Sequence, residues 1–374
     1  MPNRIFALHG GCFTENFGDE LLLAIHSKWV KEIINGDVVL PYAINIYDQE
    51  VNAIKLKGIG ALKAAEKLIY SGGGYLGEPN HDQINWGYSF FKRKHFVPAE
   101  YFKLTKKPYA IIGAGAGPLT NKFTRKEVIR MCKNAEITAV RDEESKKFLC
   151  EYGVPSEKIH VTADLVLSLG LEDLDALKKS KAKAFLNNVE GKKLIGIHLA
   201  VSSENPNYGE NAQIIQSSIV RFFNNNPDFI PVLIADKRNS SEQNQVIEEL
   251  SKEFVHKYIV YKHSDIWLTC AILSQLDAVL TTKLHVGITA YSLGTKAFSV
   301  AAHQKTLRFY KQIEQNENCL PLEEIRSENV FLDHFQRFLT SNIQTEDHHI
   351  NIRNKNKEKA LINKKLTHDF IVNY

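Results

Sequence analysis

The sequence predicts an α/β protein made of two parallel-sheet domains. Three observations carry this. Short apolar runs rich in β-branched residues alternate with helical patterns from residue 4 to 165, and the alternation restarts at 193 and continues to 315. A polar stretch rich in lysine and alanine, 171–191, separates the two runs. Glycine clusters follow several of the apolar runs, where a strand would hand over to a helix. Alternating strands and helices call for parallel sheets with helices over both faces. A length of 374 residues is enough for two such domains. The expected division is 1–170 for the first domain, 171–191 for a linker with room for one short helix, 192–318 for the second domain, and 319–374 for a C-terminal helix and polar tail.

Taken in order, residues 4–8 form a strand and 18–34 a helix. Residues 37–46 form a second strand and 61–66 a helical piece. Strand 67–71 ends in Gly72-Gly73-Gly74, and strand 108–112 ends in Gly113-Ala114-Gly115-Ala116-Gly117-Pro118. Helix 124–134, strand 136–140, helix 142–152 and strand 159–165 complete the first run. The second run reads as strand 193–199, helix 212–225, strand 229–235, helix 241–254, strand 256–261 and helix 265–276. Residues 278–281 are a buried strand and 286–293 a compact apolar helix ended by Gly294, with Thr281 and Thr282 placed to cap it. Strand 296–301 and helix 306–315 follow. Beyond Pro321, residues 322–339 form an amphipathic helix. Residues 344–374 form a polar tail, solvated or loosely docked, with a weak membrane-surface contact as the alternative. Two such runs give two Rossmann-like domains with a cleft between them.

Composition excludes several classes of function. With 44% hydrophobic and 24% charged residues, the chain is globular. No apolar run approaches the ~20 residues of a membrane span, and the opening MPNRIFALHGG leads into a strand and not a signal peptide. Cys12, Cys132, Cys150, Cys270 and Cys319 are scattered and show no CxxC spacing, which fits a reducing compartment and no metal site. A net charge of +4 is too small to argue for nucleic acid. The expectation is a cytoplasmic protein.

Candidate chemistry gathers where strands pass into helices, the usual ligand edge of such sheets. Lys283 and His285 stand between the strand 278–281 and its helix, so a cation and an imidazole meet a helix amino end that favours anions. Imidazole titrates near neutrality, which makes His285 the acid/base candidate. Lys305 follows the next strand and adds a cation to the same rim. Arg141, at the end of strand 136–140, is a carboxylate or phosphate clamp or the partner of Asp142, Glu143 or Glu144. Asp164 is a junction carboxylate, a cap or a base. The loop from Gly10 to Glu20 lacks the lysine of a phosphate-binding loop. Asp19 and Glu20 would repel an anion there, so Asn16, Gly18 and Asp19 are expected to shape the cleft or meet hydroxyls. Gly72, Gly73 and Gly74 allow close backbone approach to a ligand or a facing domain, or else make a tight turn. Around Gly115 the spacing fails as a dinucleotide motif, because Pro118 stands where a third glycine belongs.

In order and spacing the chain resembles the polysaccharide pyruvyl transferase family. The matching pieces are Asn16-Phe17-Gly18-Asp19-Glu20-Leu21, Ser71-Gly72-Gly73-Gly74, Gly113 through Pro118, Val140-Arg141-Asp142-Glu143-Glu144-Ser145, Thr162-Ala163-Asp164, and Thr282-Lys283-Leu284-His285 through Ala290 and Gly294. The resemblance implies two Rossmann-like domains facing across a cleft, as in GT-B glycosyltransferases. It implies transfer of a pyruvyl group from phosphoenolpyruvate, with no other cofactor and no metal, to a sugar or lipid-linked glycan acceptor. The donor would meet Arg141, Lys283 and Lys305, and His285 would be catalytic. The family usually carries arginine where this chain has Lys283. Lysine keeps the charge and loses the bidentate fork. A nucleotide-sugar glycosyltransferase of the same architecture and a non-catalytic anion- or sugar-binding relative are the alternative readings.

Overall fold

A computed structural model describes residues 4–13, 15–34, 36–78, 86–186, 191–200, 208–341 and 346–374. Thr14, residues 187–190 of the expected linker, and 344–345 of the expected tail lie outside the described residues. By internal contacts the chain forms two units. One comprises Met1–Glu15, Asp19–Ser168 and Lys357–Tyr374, and the other Asn16–Gly18 and Leu169–Asn356.

The first unit is built on β1 (Ile5–His9), β2 (Asp37–Val39), β3 (Lys67–Tyr70), β4 (Gly73–Leu76), β5 (Tyr109–Ala116), β6 (Ile137–Val140) and β7 (Ile159–Val161). All pairings are parallel, in the order β2-β1-β3-β5-β6-β7, with β4 also on β5. Its helices are α1 (Phe17–Ile34), α2 (Asn45–Glu50), α3 (Gly58–Ala64), α4 (Val97–Leu104), α5 (Lys122–Asn134) and α6 (Glu143–Glu151), with a π-helical segment at Trp86–Phe96. Strand 37–46 is cut short at Val39, and Pro41, which has no N–H to give a ladder, follows two residues on. Conversely, β5 does not stop at Ile112. It runs through the glycine–alanine series, shifting register between Ile111 and Ala114, with Gly113 at φ +74. A side chain at Gly113 would strike Leu165 Cδ1. Two of the three glycines after β3 belong to β4, so that run is strand as well as turn.

The second unit is built on β8 (Lys193–His198), β9 (Phe229–Ala235), β10 (Ile259–Lys262), β11 (Ala278–Thr281), β12 (Lys296–Ala301) and β13 (Cys319–Pro321), in the order β10-β9-β8-β11-β12-β13, again all parallel. Its helices are α7 (Ala176–Leu186), α8 (Tyr208–Asn225), α9 (Ser241–Glu253), α10 (Ile266–Leu273), α11 (Leu284–Ser292), α12 (Gln304–Gln312) and α13 (Glu328–Thr340). Ile195, Ile197, Leu233, Leu280, Phe298 and Val300 fill the sheet side of its core, against Phe331 and Phe335 of α13. The three-residue β13 was not expected; it is too short for a pattern of period two to register.

The expected linker and the expected tail both hold helices. The stretch 171–191 carries the one helix that the sequence allows there. It contains α7, which packs on α10 through the Lys178–Asp265 ion pair and a bond from Gln275 Nε2 to Lys179 O (2.9 Å). The polar tail is a 27-residue helix, α14 (Asp347–Asn373). It reads as polar because part of its buried face is polar. Within the first unit, Asn363 donates to Ala163 O (2.8 Å) and accepts from Thr162 Oγ1 (2.8 Å). Thr367 meets His26 Nε2 (2.9 Å), and Lys67 Nζ donates to the last carbonyls, at Phe370 (3.0 Å) and Ile371 (2.6 Å).

Candidate functional site

In the second unit, three neighbouring strands, β9, β8 and β11, end in polar side chains. Asp236 follows β9, His198 ends β8, and Thr281 ends β11 in register with His198. His198 is fully buried and uses both ring nitrogens. Nδ1 lies 3.0 Å from Thr281 Oγ1 and Nε2 lies 2.9 Å from Asp236 Oδ1. Gln243 Nε2 donates to the same carboxylate at 2.6 Å. Lys283 Nζ donates to Asp236 Oδ1 (2.9 Å) and Oδ2 (3.2 Å) and to Asn16 Oδ1 (3.1 Å). Burial alone would push the Asp236 carboxyl up. The Lys283 ammonium, His198 and the hydrogen bonds from His198 and Gln243 outweigh it and hold the group well below the usual carboxylate range.

Lys283 is also the N-cap of α11, in extended backbone and without a side-chain cap. The threonines expected to cap the helix do something else. Thr281 Oγ1 accepts the Lys283 N–H (3.0 Å), and Thr282 Oγ1 accepts the Ala200 N–H (2.8 Å). His285 falls in the first turn, half-buried. Gly18 abuts its ring: a Cβ on Gly18 would lie 2.5 Å from both His285 Cβ and Nδ1. The segment 16–18 is tied down by a bond from Phe17 N–H to Asp236 O (2.8 Å) and an antiparallel bridge between Asn16 and Lys237. Thus the structure brings Asn16 to Lys283 and Gly18 to His285. Lys305 is exposed in the first turn of α12, after the adjacent strand β12.

The first unit joins three further candidates. The buried Arg141 donates from Nη1 to Asp164 Oδ2 (3.0 Å), and its Nε lies 3.7 Å from Asp142 Oδ2. Its guanidinium lies across Gly115, where a Cβ would come within 2.7 Å of Nε. The main partner of Arg141 is therefore Asp164, one strand over, and Asp142 instead caps α6 through the Ser145 N–H (2.7 Å). Asp19 lies against Gly11, where a Cβ would be 2.5 Å from Oδ1. Gly72 is packed by Leu22, Leu165 and Gly113 O; Gly73 takes φ +133; and a Cβ on Gly74 would meet open space among the described residues.

Sequence reasoning missed His198 and Asp236, and in the first unit His9 and His95. Each of His198, Asp236 and His9 ends or follows a strand, and that position is the signal that could have found them. His9 Nε2 lies 2.8 Å from His95 Nδ1, and His95 stacks on Tyr75 (4.9 Å, 6°). Burial lowers the His9 pKa to about 3 and that of His95 well below its ordinary value. Among the described residues, no group of three or more His, Cys, Asp or Glu side chains could hold a metal ion, and no helix is long and apolar enough to cross a membrane.

The family model for polysaccharide pyruvyl transferases matches residues 16–304, from the Asn16 segment through α11 and into α12. The chain belongs to the polysaccharide pyruvyl transferase family. No curated protein matches it by sequence. Among solved structures, this pyruvyl transferase family member is similar to a UDP-GlcNAc 2-epimerase from Neisseria meningitidis bound to UDP-GlcNAc (TM-score 0.65, 13% identity, 99% of this chain and 100% of that one). It is also similar to S. aureus MnaA in a co-structure with UDP (TM-score 0.66, 10% identity, 97% and 94%) and to Anabaena Alr3699/HepE in complex with UDP-glucose (TM-score 0.62, 11% identity, 100% and 100%). At such identities these likenesses show the fold, which is GT-B-like as expected, and nothing of the chemistry.

Proposed function

We propose that this chain moves a pyruvyl group from phosphoenolpyruvate to a sugar of a cell-surface polysaccharide or its lipid-linked precursor, forming a pyruvate ketal and releasing phosphate. One observation carries the reading: His285 stands in the first turn of α11, two residues after the N-cap Lys283, inside the segment that matches the family. A proton delivered to the enol methylene turns it into a methyl group and makes the central carbon electrophilic. One sugar hydroxyl adds to that carbon, phosphate leaves, and a second hydroxyl closes the ketal. Of the two hydroxyl protons, one replaces the proton delivered to the methylene and the other leaves with the phosphate. His285 is the group placed to deliver or return a proton. The amino end of α11 and the exposed Lys305 suit the carboxylate and phosphate of the donor.

The test is phosphate release from phosphoenolpyruvate in the presence of candidate acceptor glycans. His285→Ala should lower the rate by about 10² or more while the protein still folds; a folded variant at the parent rate removes His285 from the reaction. Because similar folds hold UDP and UDP-sugars, the rival is a nucleotide-sugar enzyme. Thermal stabilisation by UDP-glucose and not by phosphoenolpyruvate would favour the rival.

A further inference from the structure

Lysine has three N–H bonds to give. In this chain Lys283 directs them at three acceptors, Asp236 Oδ1 (2.9 Å), Asp236 Oδ2 (3.2 Å) and Asn16 Oδ1 (3.1 Å). The carboxylate cannot follow a wandering ammonium, because His198 and Gln243 hold it from behind and its side chain is only 3% exposed. Nor can Asn16 drift, since its backbone bridges to Lys237 and the next N–H is bonded to Asp236 O. Binding a substrate anion would oblige Lys283 to release one of these partners. An arginine, with five N–H bonds in a planar fork, could hold both partners and still reach a ligand.

We infer that Lys283 is a positioning residue: with Asp236 and Asn16 it locks the segment 16–18 in place, and the lock sets Gly18 against the His285 ring and so fixes the orientation of the imidazole. The contact is close enough for this. The Gly18 backbone leaves no room for even a Cβ beside His285 Cβ and Nδ1, so the ring cannot turn towards that side. Asp236 is the hub, the acceptor that Lys283, His198 and Gln243 share. A group held by packing and by hydrogen bonds behind it keeps the geometry that proton transfer needs. The inference rests on the proposal that His285 acts in pyruvyl transfer.

The experiment uses the full chain, uniformly labelled at histidine, with two readouts: the His285 ring resonances, assigned by their loss in His285→Gln, and steady-state phosphate release from phosphoenolpyruvate. Asn16→Ala, Asp236→Asn and Gly18→Ala should each shift or broaden the ring resonances. Each should also lower kcat by about tenfold to a hundredfold, with KM for phosphoenolpyruvate changed by less than about twofold. Lys283→Arg should leave the ring resonances in place, which keeps the test readable if Asp236→Asn folds poorly. Lys283→Met should move the resonances as Asn16→Ala does; in that variant a rise in KM with kcat kept and the resonances unmoved would make Lys283 a substrate ligand and overturn the inference. Unmoved resonances in Gly18→Ala would overturn it as well. If the parent protein releases no phosphate with any acceptor, the proposed function fails, and the ring resonances alone still decide whether the lock exists.

Discussion

The first strand of each unit ends in a buried histidine, and the two histidines live in opposite surroundings. His9 closes β1 among rings. His95 hydrogen-bonds to it, Tyr70 lies edge-on at 4.9 Å, and Phe13, Tyr42 and Tyr75 complete the enclosure. Its Nδ1 has no hydrogen-bond partner among the described residues. His198 closes β8 between a threonine and an ionised aspartate that also holds a lysine. The first site avoids charge by keeping its imidazoles neutral; the second buries charge and balances it. A position at the carboxyl end of a parallel strand therefore fixes where a polar group goes, and its neighbours fix what that group is able to do.

The largest expected effect comes from breaking the balance. Asp236→Ala leaves the Lys283 ammonium without its counter-charge and His198 and Gln243 without their acceptor. Loss of one member of a buried pair costs about 3–5 kcal/mol. Since the Lys283 side chain is 31% exposed and can reach water, about 3 kcal/mol is expected in equilibrium urea unfolding. A cost under about 1 kcal/mol would mean that the pair is a surface ornament and that the contrast with His9 is false.

Acid separates the two units. His9 and His26 are each held at about 3, below the ordinary 6.5, by burial, so the unfolded chain takes up these protons first. The stability they contribute is complete above pH 6.5 and declines as pH falls towards 3, by up to about 1.4 kcal/mol per pH unit for each histidine. Asp236 is depressed in the carboxylate sense, so its contribution is present above its unfolded value near 4 and is lost only below it. Between pH 6.5 and 5.5 the first unit should weaken by about 2 kcal/mol from this pair of histidines, without a matching loss from Asp236. Hydrogen exchange should show β1 and β3 losing protection before β9 and β11. Equal loss in both sheets would contradict the assignment.

A smaller effect tests the neutral site directly. Replacing both members of a hydrogen-bonded pair by apolar groups of similar shape is nearly neutral. His9→Phe with His95→Phe should therefore cost about 1 kcal/mol or less in urea unfolding, because the stacking on Tyr75 survives. His198→Phe, which strands Asp236 and Thr281, should cost about 2–3 kcal/mol. Reversed costs would show that the His9–His95 pair does more than fill space.

How much of this was legible follows the same physics. The alternation of strands and helices was readable because local periodicity dictates it, and β9 begins and ends where the pattern says. The limits of β5 and the docking of α14 were not. Gly113, Gly115 and Asn363 take their places from residues far along the chain: Leu165, Arg141 and Thr162. Lys283 and His285 could be found at a strand exit from spacing alone. That Lys283 would meet Asp236 and Asn16 could not, since those partners lie 47 and 267 positions away.

The smallest effect concerns the glycines, which separate spatial need from habit. Gly18 is confined by His285 and Gly115 by Arg141, and at both a methyl group would displace a candidate side chain. A Cβ on Gly74 would meet no atom within 4 Å among the described residues, and Gly74 does not adopt the left-handed region. Gly74→Ala should therefore leave stability within about 0.5 kcal/mol of the parent or raise it slightly, by restricting the unfolded chain. Thermal melting checks this, and phosphate release gives it a second edge. If Gly74→Ala melts like the parent but loses transfer, the space beside Gly74 is used by a substrate that a methyl group excludes. In that case the glycine run after β3 would serve the substrate and the one within β5 would serve Arg141.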